Sequence, residues 1–536
     1  MINSYSSILN RSIYIFSIIF LICISFFGFD FSDEGLYLSL SNPKQINNYS
    51  QFNYDIFFKL THLFFDVKFG LIELRIFRIS ILIILFFFTI KLIKKVENFQ
   101  ISTFILFLGF FSSYSHFKQT LSYNIIVLFI GILYSILIFK RFYFQSKNTS
   151  DYFLLGFLSS ICFTVKSTSG LILFCLVFLL IFSEKSSVSN FLKNISYLIF
   201  SFSSIQFFLY LYGVNFFEII INGFELSQYD NTHNFVSLIR TPLAALKWII
   251  VLIISGYVLK KSFFEYKLTL KLIYTLTSIS LLLYFFISHT KLDFIKFFEY
   301  LPLILVYFLI GICFEKKLFN LEKRKFYICI LFLLFPLVLL FGSNTYFFIT
   351  GSVYLLFPLV AFYFLKFNLT CLRLIGLQKL IFILLVASIF IKILFNLVLY
   401  PFAQPTLLSK SKKFEYYNGS KFIYLEESQA VFLENLKFKV NEKVPSDREI
   451  ISLYAMSGMV TLIDRINYLN PCVWEYDQWD FYQKKAFKDD LSKNELYFLI
   501  KNSEDIKQIT NWKFTKLDSV PINNNTQIYL LKGELL

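Results

Sequence analysis

Cysteine, histidine, glycine and proline are all scarce in this 536-residue chain, and each scarcity excludes something. The seven cysteines are dispersed, with no C-x-x-C and no clustered pair, which argues against a disulfide framework and against structural zinc. The four histidines (His62, His116, His233, His289) form no His-x-x-x-His motif, so the sequence supports no divalent metal site and implies no cofactor. With 17 glycines and 10 prolines, no pair of Gly/Pro-broken spans suggests a transport site at mid-membrane. Acids are also few, 35 against 51 lysines and arginines. The resulting charge of +16 does not point to nucleic acid, because the cations sit in short loops between apolar runs and build no basic domain.

What is abundant is apolar surface: 57% of residues are hydrophobic and 21% aromatic, more than a soluble chain of this size carries. The expected class is a polytopic α-helical membrane protein. The 73 phenylalanines are explained by an AT-rich coding sequence without any aromatic binding device. Candidate spans cover residues 12–29, 74–93, 100–115, 122–139, 152–165, 169–183, 195–213, 244–259, 268–288, 301–314, 326–341, 350–365 and 380–400, about thirteen in all. The first is too long for a cleaved signal and reads as a signal-anchor.

Loop charge sets an orientation. With the N-terminus in the cytoplasm, the loops expected there include KLIKK, KRFYFQSK, KKSFFEYK and EKKLFNLEKRK, all basic, whereas the opposite loops carry few cations for their length. This predicts a plasma (inner) membrane protein with residues 1–400 in the bilayer. The C-terminus then lies outside, with 401–536 as a small α/β domain. KFIYL, REIISLYA, ELYFLI and QIYLLKG read as strands there, and SQAVFLENLKFKV and YQKKAFKDDLSKN as amphipathic helices. The first outer loop, 30–73, contains YDIFFKLTHLFFDV, whose period suits a helix lying in the interface plane.

The polar outliers collect on the outer side. Asp30, Asp33 and Glu34 end the first span, in FGFDFSDEGLYLSL; Arg75 and Arg78 open the second; His116 and Lys118 sit in the second outer loop; Lys166 interrupts an apolar stretch; His289 and Lys291 follow the ninth span. Ionisable groups so near hydrocarbon are costly and hint at function with a partner. Simpler roles exist for each. The acids also mark the water side of a helix, Lys166 can snorkel to water, and Arg78 can pair with Glu73. Taken together, carboxylates beside cations at a bilayer face suit glycosyl transfer from a lipid phosphate. The departing phosphate needs positive charge, and an acceptor hydroxyl or amine needs a base.

DEGLYLSL after the first span, followed by an interfacial segment and ELRIFRIS, resembles the polyprenol-phosphate-dependent transferases of the glycosyltransferase C superfamily, which include protein O-mannosyltransferases and the lipid A aminoarabinose transferase. FLSSICFTVKSTSGLILF is similar to that family's segment with a lysine before small or hydroxyl residues, and FGSNTYFFITGSVYLLFP to a late Gly-x-Asn segment. The resemblance implies a GT-C-like bundle and an outer-face site in which Asp33 or Glu34 is the base and Arg78 and Lys166 contact the donor phosphate. Asp30, Arg75, His116, Lys118, His289 and Lys291 would be auxiliary or acceptor-side residues. Its implied partners are a polyprenyl-phosphate sugar donor, a lipid, glycan or protein acceptor, and membrane lipids. One departure is that SHFKQTLSYN in the second outer loop has no acid, where some members carry one, and offers His116 instead. The alternatives are a transporter or flippase, or a polymerase or ligase, of lipid-linked saccharides.

Overall fold

A computed structural model describes residues 2–47, 55–93, 99–114, 119–184 (without 143, 145 and 147), 187–229, 235–288, 294–313, 323–343, 347–366, 375–399, 406–468 (without 454 and 455), 479, and 495–535 (without 502–505, 507, 508, 510, 511, 524 and 525). Apolar runs become helices throughout the first 400 residues. In order these are α1 (Ile2–Ile24), α2 (Asp33–Ser41), α3 (Asp55–Phe65), α4 (Leu71–Ile93), α5 (Phe99–Phe111) and α6 (Tyr123–Phe142). Next come α7 (Ser150–Val165), α8 (Ser167–Ser183), α9 (Val188–Leu211), α10 (Phe216–Tyr229), α11 (Phe235–Phe264) and α12 (Leu268–Ile287). The series closes with α13 (Phe294–Cys313), α14 (Lys323–Leu340), α15 (Phe347–Gly351), α16 (Leu356–Lys366) and α17 (Ile375–Leu394), which runs into a π-helical turn, Phe395–Leu399.

Every one of the thirteen apolar stretches overlaps a helix, but the span count needs correction. Among the described residues, five helices are long and apolar enough to cross a membrane: Tyr123–Arg141, Val188–Leu211, Ile239–Phe264, Leu268–Ile287 and Gly376–Leu399. Five more are apolar but shorter. The reason lies in interruptions. Four charges, Glu73, Arg75, Arg78 and Lys91, fall within α4; α7 and α8 break at Lys166, whose backbone is extended; and a 3-10 turn (Ser352–Tyr354) separates α15 from α16. The fold is that of a helical membrane protein with a small C-terminal sheet region.

Two surface helices carry one-sided apolar character. In α3, Phe58 is buried while Phe57, Leu63, Phe64 and Phe65 are exposed, the pattern of an interfacial helix. The second, α10, falls in 214–243, read from sequence only as a loop; Phe216 and Ile219 pack beside Phe163 and Leu209 while Phe217, Ile221 and Phe224 face outward.

The C-terminal region forms two sheets. β1 (Lys410–Tyr416) and β2 (Lys421–Glu426) make an antiparallel hairpin. After α18 (Glu427–Lys443) come β3 (Ile450–Ser452), α19 (Ser457–Leu462), β4 (Glu495–Ile500), β5 (Trp512–Asn523) and β6 (Thr526–Leu535), giving a sheet of order β3-β4-β6-β5 in which only β3–β4 is parallel. The four sequence-predicted strands and the first amphipathic helix, α18, are present; YQKKAFKDDLSKN lies outside the described residues. β1, β5 and α19 had no sequence prediction.

This region does not hang from the bundle by a tether. One hydrophobic core continues from the helices into the hairpin and α18, through Phe414, Tyr416, Ile423, Leu425 and Leu433. Phe26–Gly28, just past α1, pairs with Tyr424: Gly28 N donates to Tyr424 O at 2.8 Å and Tyr424 N to Phe26 O at 3.0 Å. Leu71 N, at the start of α4, donates to the Tyr416 hydroxyl at 2.8 Å, and Glu73 pairs with Lys421. Lastly α2 lies backbone-to-backbone on α19, since a Cβ on Gly35 would stand 2.5 Å from Gly458 Cα.

Candidate functional site

One end of the bundle gathers most of the buried charge. The ends of α1, α5, α7 and α14 and the starts of α4, α6 and α8 meet there, and the hairpin, α2 and α19 cover part of it. The residues predicted from sequence sort differently once placed.

Glu34 and Arg75 form a buried ion pair, Nη2 to Oε2 at 2.5 Å and Nε to Oε1 at 3.2 Å. The same guanidinium donates to the carbonyls of Ser25 and Phe27 at 3.0 Å and of Gly28 at 2.8 Å. Those carbonyls lie just past the last turn of α1, at the negative end of the helix dipole. Glu34 is fully buried; burial raises its carboxyl pKa and Arg75 holds it down in part. So engaged, it suits the role of counter-ion to Arg75 rather than base. Asp30 is also committed: its carboxylate accepts from Ser32 N, Ser32 Oγ and Asp33 N, closing the start of α2 as an N-cap does. Asp33, in the first turn of α2, is the acid of the three whose side chain stays part-exposed.

Arg78 lies three residues after Arg75, on the same face of α4 and about 4.5 Å further along it. It does not pair with Glu73. It is wholly buried, its Nη2 donates to Ser113 O at 2.9 Å and its Nη1 reaches Thr120 O at 3.4 Å. Its guanidinium carbon stands 3.9 Å from the centre of the Tyr114 ring, a desolvated cation–π contact. Lys166, also buried, donates to Leu339 O and Ser343 Oγ, both at 3.0 Å. Thr168 and Ser169 bind the same strand of backbone through Phe341 O and Leu339 O. The TVKSTSG segment and residues 339–343 are thus brought together, while Asn344 lies outside the described residues. His116, Lys118, His289 and Lys291 lie outside the described residues.

A common rule connects these cations. Arg75 serves the carbonyls past α1, Arg78 one just past α5, and Lys166 one in the last turn of α14. Sequence reading missed a fourth, Lys392 in α17, which donates to Ser112 O at 2.8 Å and Ser352 Oγ at 2.9 Å and is fully buried. Positive charge is favoured at helix C-termini, where the orphan carbonyls and the dipole both point. The side chains therefore have a folding role, and their charge remains concentrated at one end of the bundle. Two further buried groups were missed. Glu299 in α13 accepts from Asn396 Nδ2 at 2.9 Å, and Lys410, at the start of β1, feels both Arg75 and Glu34. The available signal was a lone charge inside an apolar run, as at Glu299 and Lys392.

Beside this cluster an apolar groove of about 350 Å³ runs between α1, α4 and α5, past Ile18, Leu21, Ile79, Ile83 and Phe107. One end is at Arg11 and the other at Tyr114, the residue under Arg78. Among the described residues, no group of three His, Cys, Asp or Glu is placed to hold a metal ion. No family model matches the chain, and no curated protein matches it.

Proposed function

We propose that this chain is an integral-membrane glycosyltransferase, GT-C-like in architecture, that takes a sugar from a polyprenyl-phosphate donor and gives it to a lipid, glycan or protein acceptor at the outer membrane face. In this reading the shorter apolar helices complete the bundle, the N-terminus is cytoplasmic and residues 401–536 are extracytoplasmic. The observation that carries the proposal is the juxtaposition on α4. Arg75 ties Glu34 of α2 to this helix, and Arg78, one turn on, meets the end of an apolar groove suited to a lipid tail.

Chemically, an acceptor O–H or N–H attacks the anomeric carbon, the bond from that carbon to the phosphate oxygen breaks, and the lipid phosphate leaves with the electron pair. The acceptor's proton passes to the Asp33 carboxylate. Direct displacement inverts the anomeric centre. Arg78, with the positive field of Arg75, Lys166 and Lys392, stabilises charge developing on the leaving phosphate in a low-dielectric setting.

The test is mass spectrometry of lipid-linked sugars in a strain lacking the protein. A polyprenyl-phosphate sugar should accumulate, the wild-type chain should clear it, and Asp33→Asn, made at normal level, should not. Full clearance by Asp33→Asn refutes the assignment. The groove's apolar walls also suit lipid movement, so a flippase is the second reading; it would tolerate both Asp33→Asn and Glu34→Gln.

A further inference from the structure

A cation on the lipid-facing side of a membrane helix is costly, and it needs water or an anion within reach of its stem. Two such cations stand on one face of α11. Arg240 and Lys247 are both exposed and lie seven residues apart, about 10.5 Å along the helix axis. Lys247 falls about 12 Å inside the membrane-length stretch Ile239–Phe264. Leu243 and Ile250, on the same face, are exposed as well. Neither α11 nor α12 contains an acid, and among the described residues neither cation forms a salt bridge. In the orientation that loop charge gives, this is the outer end of α11, where cations are scarce, so the two are no part of the cytoplasmic excess.

The Lys247 ammonium is held in a defined place. Its Nζ donates to the Tyr284 hydroxyl oxygen at 3.2 Å. It also stands 4.7 Å from the centre of the Trp248 ring and 5.5 Å from that of Tyr284. The two rings pack together with centroids 5.2 Å apart, Trp248 buried and Tyr284 half-exposed. Tyr284 belongs to the last turn of α12, so the ammonium and both rings sit near the end of the α11/α12 hairpin. Aromatic side chains favour that level, where hydrocarbon gives way to headgroups. Because the phenol oxygen accepts from Lys247, its own O–H is left to donate outward. Guanidinium, ammonium and phenol are thus three donors on one bilayer-facing surface, a set that suits phosphate oxygens.

We propose that Arg240, Lys247 and Tyr284 bind the phosphate of an anionic glycerophospholipid, of the phosphatidylglycerol class, on the bilayer-facing side of the α11/α12 hairpin. Its acyl chains run along the exposed Ile250 and Ile254. A zwitterionic lipid presents the same phosphate but brings an ammonium in among these cations, so net charge sets the preference. The site shares no residue with the α1/α4/α5 groove and takes no part in the transferase reading. Hydration of both cations by water alone is the competing explanation.

The experiment places the full chain in nanodiscs made of equal parts phosphatidylglycerol and phosphatidylethanolamine, and reads the retained lipid by native mass spectrometry. The wild-type chain should retain phosphatidylglycerol in excess. Lys247→Met and Arg240→Gln should each weaken that retention about fivefold, the worth of one basic residue at an anionic lipid surface, and the double variant more. Tyr284→Phe keeps the ring beside Trp248 and should weaken it in the same direction by less. Lys247→Arg keeps the charge and should retain the lipid, which separates loss of the site from loss of the fold. Added phosphatidylglycerol should also raise the melting temperature of the wild-type chain in detergent more than that of the double variant. Unchanged phosphatidylglycerol retention in the double variant would leave water as the partner of both cations and overturn the proposal. Equal retention of phosphatidylethanolamine by the wild-type chain would overturn it too. No sugar or transfer assay enters, so failure of the transferase reading leaves this result standing.

Discussion

Glu34 and Arg75 meet across 41 residues of chain in a buried ion pair, and Arg75 uses its remaining donors on the three carbonyls that follow α1. Removing one member of such a pair strands the other. Arg75→Met should therefore cost about 3–5 kcal/mol, and Glu34→Gln less, since its amide still accepts one bond from the guanidinium. Chemical denaturation of the solubilised protein measures both. A Glu34→Gln protein of wild-type stability that lacks turnover would give this acid a chemical role in place of the structural one.

Asp30 and Asp33 are three residues apart but should separate cleanly in assay. Asp30→Ala removes the acceptor for Ser32 and Asp33 and should cost about 0.5–2 kcal/mol, while Asp30→Asn retains the cap and most of that stability. Asp33→Asn should lower transfer by about 10²–10⁴-fold, the usual worth of a general base, a loss out of proportion to any change in melting temperature. The paired readout is melting temperature against transfer rate.

Lys410 predicts a pH dependence. Burial, reinforced by the like charge of Arg75, lowers its pKa from 10.5 to about 8 in the folded protein. The unfolded chain then binds the extra proton between about pH 8 and 10.4, so this residue's contribution to stability rises with pH across that window. Below pH 8 the folded protein bears the full cost of a buried ammonium. Lys410→Met should accordingly stabilise most at pH 7, with an advantage that shrinks toward pH 10. Denaturation midpoints of the two proteins across that range provide the check, and a constant difference would show that Lys410 is not the titrating group.

The contact of α2 with α19 leaves no room for a side chain. A Cβ on Gly35 would come within 2.5 Å of Gly458 Cα and 2.6 Å of its nitrogen, so the backbones themselves must part. Gly35→Ala should cost about 1–3 kcal/mol and loosen the C-terminal region from the bundle. Limited proteolysis, compared with wild type, should then cut more readily between residues 400 and 468.

Much of the secondary structure was legible in the sequence. The apolar runs located α1, α4 to α9 and α11 to α17, and alternation marked β2, β3, β4 and β6. The misses have local causes. In β1, lysines and a glutamate occupy most positions, so the buried Phe414 and Tyr416 are too few to announce a strand. In α10 the apolar stripe is set in a stretch of few cations, which loop charge alone assigns to the connection. Helix length was harder still, since the turn at Ser352–Tyr354 divides 350–365, which hydropathy treats as one span.

For the charged residues, hydropathy alone places Glu34, Arg75, Arg78 and Lys166 toward the ends of apolar helices, because an unpaired charge is too costly deeper in the bundle. What each one touches follows from how the helices pack. Arg75 could have met any acid nearby, yet packing gave it Glu34 and the carbonyls after α1; Lys392 reaches Ser112, 280 positions away in the chain. The physical reason is that low dielectric demands a partner for every buried charge, while the identity of that partner depends on which helix ends are packed side by side.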